Sequence, residues 1–361
     1  MIDLFKVFIP DDMDLNEVNK ILYSGKLNTG YYVRQFEEQL RLYIGNPLLM
    51  VTSNNSYASL ITLALLELKE GDEIIASPMA CLASNMPILN FRAKLVWADI
   101  DPSTGTLEPQ SVKKTITSKT KAILHYHWGG YPGYIDEINE VGREHGITVI
   151  DDAIEAFGSE YKGNKIGNVG TDITTFSFQT VRLPNSIDGG AIAFKSKELF
   201  EKSLRMRDFG INRTTFRDQY GEISPTSDIT HLGYNAIMNE LNAFIGSKVM
   251  EKTPSLITTQ RVNASRWDSF CKVNNLKMLN YRSEILPNYW VYSFLSDNQM
   301  ADFLKLRQLD FSVSKMHLRN DYYSCFGSFN KTLTGVSEFE KKQLSVPSGW
   351  WVSNISIENK L

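Results

Sequence analysis

Residues 174–190 read TTFSFQTVRLPNSIDGG. The stretch opens as a β-branched and aromatic run, passes through a polar turn, and closes on Gly189-Gly190 before a second apolar run, Ala191 to Phe194. Such punctuation predicts a strand, a turn and a strand. A return this short leaves no room for a crossover helix, so 191–194 is expected to pair with a neighbour directly. Arg182 stands in the middle of the turn.

Outward from this segment the pattern is regular. Strand-like runs at 48–52, 73–76, 95–98, 122–126 and 148–151 precede it, with helical patterns between and after them, as at 57–68, 135–145 and 197–209. Nearly continuous apolar strands alternating with helices predict an α/β fold, a mostly parallel sheet covered on both faces. A helical pattern at 237–249 carries Met238, Leu241, Phe244 and Ile245 on one face, after Gly233-Tyr234-Asn235. Beyond it the texture changes to strand, helix, strand at 289–294, 299–308 and 311–314, which suits a small α+β domain. The expected division is a large domain over 1–247 and a small one over 248–361, with the N-terminal segment able to pack against the latter.

The chain has 361 residues, 42% apolar and 22% charged, with a net charge of −3. That balance offers no electrostatic case for nucleic acid or an anionic membrane. No apolar run approaches the roughly 20 residues that span a bilayer, and the start lacks the pattern of a signal peptide. Cys81, Cys271 and Cys325 lie far apart, which predicts neither a disulfide framework nor a zinc site, and points to a reduced cytoplasm.

In open α/β sheets ligands bind beyond the carboxyl ends of the strands, so polar residues there come first. Asn54-Asn55-Ser56 follows a strand and opens a helix, where backbone N–H groups could hold a phosphate or simply be capped. Asp152 ends another strand and could pair with a protonated ring nitrogen, or cap a turn. Ser177 could be a second phosphate donor or a structural serine. His125 and His127 share one strand face, but no Cys or carboxylate lies at ligand spacing, so no metal is expected. His317 and Arg319 could meet an anionic substrate or form a solvated loop. The dinucleotide fingerprint, the Walker A loop and the G-x-S-x-G elbow do not occur.

Six blocks in order carry a resemblance. They are SGKLNTGYYVRQFEEQL (24–40), KEGDEIIASPMACLASNMPIL (69–89), AKLVWADIDPSTGTLEP (93–109), TVIDDAIEAFGSEYKGNKIGNVG (148–170), HLGYNAIMNELNAFIG (231–246), and the pair HLRNDYYSCF (317–326) and VPSGWWVS (346–353). Together with the F-S-F segment they resemble the DegT/DnrJ/EryC1/StrS sugar aminotransferases, which use pyridoxal phosphate (PLP). The resemblance implies the architecture of fold-type-I PLP enzymes, a homodimer with interfacial sites, and a nucleotide-linked keto-sugar or similar small keto substrate. It implies that Asp152 holds the pyridine nitrogen in its protonated form. Asn55, Ser56 and Ser177 would take the phosphate, and Asn235 would reach it from the partner chain. Glu155 would lie against the ring, and His317 and Arg319 on the substrate side.

The departures cluster at the cofactor. The seventh residue from the first Phe of F-S-F is the family's Schiff-base lysine, and here it is Arg182. Asn55-Ser56 replaces Gly-Thr, Glu155 replaces Gln, and Ile237 replaces an Arg. Several departures together favour natural divergence over one engineered change. A guanidinium stays protonated and has no nitrogen lone pair to offer, so it serves neither as nucleophile nor as base. Losing general acid–base help alone typically costs ~10²–10⁴ in rate. Three readings follow: a keto-sugar enzyme holding PLP or its amine form (PMP) noncovalently, a PLP-free sugar-nucleotide enzyme or binder, and an inactive partner subunit. The first is the expectation, because the cofactor cradle persists; in it His125 or His127 would have to reach in to accept a proton.

Overall fold

The computed structural model describes residues 1–280, 282–327 and 330–352. Seven strands form the central sheet: β1 (Leu49–Thr52), β2 (Glu73–Ala76), β3 (Lys94–Trp97), β4 (Thr120–Tyr126), β5 (Thr148–Asp152), β6 (Ile173–Ser177) and β7 (Gly190–Phe194). Their order is β1-β7-β6-β5-β4-β2-β3. Strands β3, β2, β4, β5 and β6 are mutually parallel, while β7 runs antiparallel to both β6 and β1. The short return through Gly189-Gly190 therefore does what its length dictates.

Helices cover both faces. Alternate residues of each strand point to opposite sides. Met50, Ile74, Ala122, Leu124, Ile150 and Ile192 pack with Ala58 and Ile61 of α2 (Asn55–Leu65). Leu49, Val51, Phe176 and Ala191 pack against Val33, Phe36 and Leu40 of α1 (Tyr31–Ile44). Every strand residue of β1, β2, β6 and β7 is buried, which is why these runs show no strict alternation of apolar and exposed polar residues.

Two of the sequence blocks meet at the start of α1. Glu240 accepts from the N–H groups of Tyr32 and Val33 at 3.1 and 3.0 Å, satisfying donors that a helix start leaves orphaned. A Cβ on Gly30 would stand 2.6 Å from that carboxylate, so the glycine keeps the contact open.

Glu240 also begins α3, a helix of 34 residues running to Val273. The helical pattern expected at 237–249 thus continues much further, and the residue-248 division falls inside it. Pro254 lies within this helix. Its missing N–H removes one backbone bond, and tertiary packing outweighs that loss. Trp267 is fully buried, and Gln260, Asn263 and Trp267 donate to carbonyls of Tyr289, Ser348, Gly349 and Pro347.

The C-terminal part builds a three-stranded antiparallel sheet, β8 (Lys277–Met278), β9 (Tyr292–Leu295) and β10 (Gln343–Val346), with β9 central. Helix α4 (Gln299–Gln308) matches its expected span. The strand expected at 311–314 is reduced to isolated bridges, Phe311 with Ile2 and Ser314 with Ser345. Ile2 shares a core cluster with Trp267 and Phe311, so the N-terminus is sewn into this part. Ser353 of the last sequence block lies outside the described residues. Among the described residues, no helix is long and apolar enough to cross a membrane.

Candidate active site

The register of β4, β5 and β6 sorts two adjacent aspartates onto opposite faces. Asp152 is flanked by Tyr126 and Thr175, whereas Asp151 is flanked by His125 and Thr174. Asp152 is 2% exposed at the carboxyl end of its strand. Burial pushes its pKa up to about 6, against the Ser84 hydroxyl and the Ile154 N–H that favour the ion. A carboxyl raised in the folded state stabilises the fold when protonated. That contribution is complete below the ordinary value of 3.8 and is lost as pH rises through about 6. A cation brought to Asp152 lowers its pKa again. We expect its ¹³C carboxyl resonance to titrate near pH 6 in the cofactor-free protein and to move acidward when PMP is added; a normal titration near pH 4 would contradict this.

Three residues on, Glu155 is the hub of a buried polar cluster. Its Oε2 accepts from the Gly129 N–H at 2.9 Å. Its Oε1 lies 3.2 Å from His317 Nε2 and 3.6 Å from Arg182 Nη2. The Tyr126 hydroxyl stands 3.1 Å from the same His317 nitrogen. Burial works to raise the Glu155 pKa, but the hydrogen bond and charge of His317, then the charge of Arg182, hold it below the ordinary value. Glu155 is therefore the counter-ion of Arg182. Two departures that stand 27 residues apart in the chain are one ion pair in space.

Arg182 is 7% exposed. Its turn is closed by hydrogen bonds from Phe178 N to Gly189 O, Ser186 N to Phe178 O and Arg182 N to Gln179 O, each 2.8 Å. The guanidinium lies over the Trp290 ring, 3.8 Å from its centroid, and Trp290 Nε1 donates to Val181 O at 2.8 Å. Phe5 also stacks on the tryptophan, ring centroids 4.6 Å apart. Arg182 Nε and Nη1 are buried with no hydrogen-bond partner.

Ser177, Gly190 and Thr52 are register neighbours across β6, β7 and β1. A Cβ on Gly190 would sit 2.8 Å from both Asn54 O and Thr52 Oγ1, so the glycine lets the chain pass close to the entrance of α2. Asn54 caps that helix by accepting from Tyr57 N at 2.9 Å. Asn55 Oδ1 is buried without a partner, and Ser56 is exposed on the first turn. Asn235 is exposed and bridges Asp208, while its neighbour Ala236 accepts from Ser53 N at 2.9 Å beside the same helix start.

Several expectations need correction. Arg319 is not on a substrate surface: it is fully buried, donating to both Asp321 oxygens at 2.7 and 2.8 Å, to Ser337 and to the Asn330 carbonyl. His317 is not in a solvated loop but against Glu155. His125 and His127 do not reach the cluster. They lie 3.2 and 3.4 Å from Asp151 Oδ1 on the opposite face, so the next strand supplies the carboxylate that spacing alone did not reveal. These three could in principle hold a metal ion. However, the Gly133 N–H donates to His127 Nδ1 at 3.1 Å, which puts the proton of the neutral ring on Nε2, toward Asp151. His127 Nε2, His125 Nδ1 and both Asp151 oxygens are nevertheless buried without a hydrogen-bond partner, so the triad is held by charge proximity alone.

Three members of the site carried no assignment in the sequence reading. Tyr126 ends β4 beside Asp152 and was open to the same strand-end logic. Trp290 gave no periodic signal. Cys81 feels the charges of Glu155, Arg182 and Asp152, and burial first, then Glu155, push its thiol up to about 11, which favours the protonated form at neutral pH.

This sheet, with its carboxylate, serine and helix start gathered at the strand ends, has the architecture of the sugar aminotransferases. A sugar aminotransferase structure, CalS13 from Micromonospora echinospora, matches with a TM-score of 0.91 and 25% identity over 100% of this chain and 97% of that one. The model of the DegT/DnrJ/EryC1/StrS aminotransferase family matches residues 10–322, and the chain belongs to that family. An uncharacterised protein of Methanocaldococcus jannaschii is 32% identical over 353 residues, 92% of this chain and 89% of the relative. GDP-perosamine synthase of Escherichia coli O157:H7 is 28% identical over 318 residues, 85% of this chain and 84% of the enzyme.

Proposed function

We propose that the chain acts on a nucleotide-linked keto-sugar with PLP or PMP held noncovalently, in the making of amino sugars or polysaccharide precursors, as a cytoplasmic homodimer whose site lies at the subunit seam. The observation that carries this reading is Asp152. It is a buried carboxylate whose ionisation burial opposes, placed where a protonated ring nitrogen would relieve that cost. The rest of the cradle fits the same group. Ser177, the backbone N–H groups at the start of α2 and the clearance at Gly190 suit its phosphate end. Asn235 would complete that end from the partner chain, in keeping with its exposure.

Bound there, the cofactor would supply an electron-accepting ring and, in its amine form, the nitrogen to be transferred. The chain's own residues do the remainder. Arg182 cannot form the covalent attachment, and its ion pair with Glu155 fixes both side chains. His317 Nε2, between Tyr126 and Glu155, is the group placed to hold or pass a proton in a site without a lysine amine. The GDP-sugar chemistry named in one relative makes a sugar nucleotide the natural substrate class.

The test is Asp152→Asn. The amide keeps size but removes the charge that favours the protonated ring, so PMP affinity should fall about tenfold or more, since 1.4 kcal/mol is a factor of ten. Titration of both proteins by cofactor absorbance decides this, and unchanged affinity would sink the reading.

A further inference from the structure

We infer that Arg182 is the seat for an acidic group on the substrate, so that the sugar handled here carries a carboxylate. The inference deepens the proposed function and rests on its placing of Arg182 inside the ligand pocket.

A guanidinium taken out of water needs its N–H groups paired and its charge met. Arg182 has neither in full. Its flat face is used by Trp290, 3.8 Å below, but an aromatic face does not satisfy donors that point outward in the guanidinium plane. The one carboxylate beside it, Glu155, is 3.6 Å from Nη2, longer than a hydrogen bond. Glu155 is also shared, since Gly129 N–H takes Oε2 and His317 Nε2 lies closer to Oε1 than Arg182 does. Nε and Nη1 are left buried and unpaired. Each such donor is a standing cost to the fold, and the turn nonetheless stays fixed to the stacked Trp290 through the bond from its indole to Val181 O.

A preoriented arginine with buried open donors at Nε and Nη1 is a built receptor for an anion's oxygens. The phosphate end of the proposed cofactor is provided for elsewhere, at Ser177 and the start of α2, so the anion at Arg182 is assigned to the substrate. The nucleotide's diphosphate is the competing source, and free glucuronate against glucose tells it from a carboxylate. A neutral sugar hydroxyl could accept one hydrogen bond but would leave the other open donor unpaired. Sites built this way discriminate strongly against ligands that lack the matching group, because the buried donors then stay unpaired.

The experiment compares matched ligands on the intact protein loaded with PMP: UDP-glucuronate against UDP-glucose, and free glucuronate against glucose. Binding is read by thermal shift and by quenching of tryptophan fluorescence, with Trp290→Phe as the optical control. The acid of each pair should bind at least about tenfold tighter, the preference should shrink with added salt, and Arg182→Gln should abolish it. Equal affinities within both pairs, or failure of both acids to bind, would overturn the inference. The comparison within the unmodified protein stands even if the variant does not fold. PMP titration is scored separately, so loss of cofactor binding would strike the proposed function and loss of acid preference only this inference.

Discussion

Arg182→Lys together with Glu155→Gln is expected to take up PLP covalently at neutral pH, whereas Arg182→Lys alone is expected to do so poorly. The single change puts a lysine amine about where Glu155 already waits for a cation, 3.6 Å from the present guanidinium nitrogen. A carboxylate within about 4–6 Å favours the charged form of its neighbour, so the new amine stays protonated and is a weak nucleophile. Removing the carboxylate charge frees it. The yield of borohydride-fixed adduct, read as chain mass, should therefore be small for the single variant at pH 7, rise steeply toward pH 9–10, and be high at pH 7 for the double variant. Glu155→Gln alone should destabilise the fold by roughly 1–3 kcal/mol, because a buried guanidinium loses its counter-ion, and the two changes should be non-additive. Equal adduct yields from single and double variants would show that Arg182 and Glu155 are not coupled.

Arg319→Met should cost about 3–5 kcal/mol of folding stability without changing cofactor affinity. The guanidinium is fully buried and meets Asp321 through two hydrogen bonds, so the variant strands a buried carboxylate. Replacing both partners, as in Arg319→Met with Asp321→Leu, should recover much of that loss, since the unpaired charge is then gone. Urea unfolding of the three proteins measures this directly. A loss below about 1 kcal/mol, or a selective loss of sugar binding in a stable variant, would return Arg319 to the substrate side.

The contrast between these two arginines shows what could be read from the chain. Asp152 and Ser177 stand out by one rule, that polar residues at the carboxyl ends of parallel strands are first candidates for a ligand crevice, and the register puts both at those strand ends. The β6–β7 return was legible because its length admits no helix. Arg319 was misjudged although its partner stands two residues away: a local Arg–Asp pair reads the same whether it is solvated or buried, and only tertiary packing decides. The Glu155–Arg182 pair was invisible for the opposite reason, since nothing local links a turn after β5 to a turn after β6. His317 depends on a still longer connection, 162 residues from Glu155. The long helix α3 escaped because Pro254 weakens the local signal, whereas burial of Trp267 and the Asn263 contacts sustain it.

The central claim is that cofactor is held here without a bond to the chain. The most direct measurement is to incubate the unmodified protein with PLP, reduce with borohydride, denature, and weigh both chain and released ligand. Intact cofactor retained through gel filtration, then released from a chain of unchanged mass, is the predicted result. A chain heavier by one reduced cofactor, or a protein that retains none, would contradict the account.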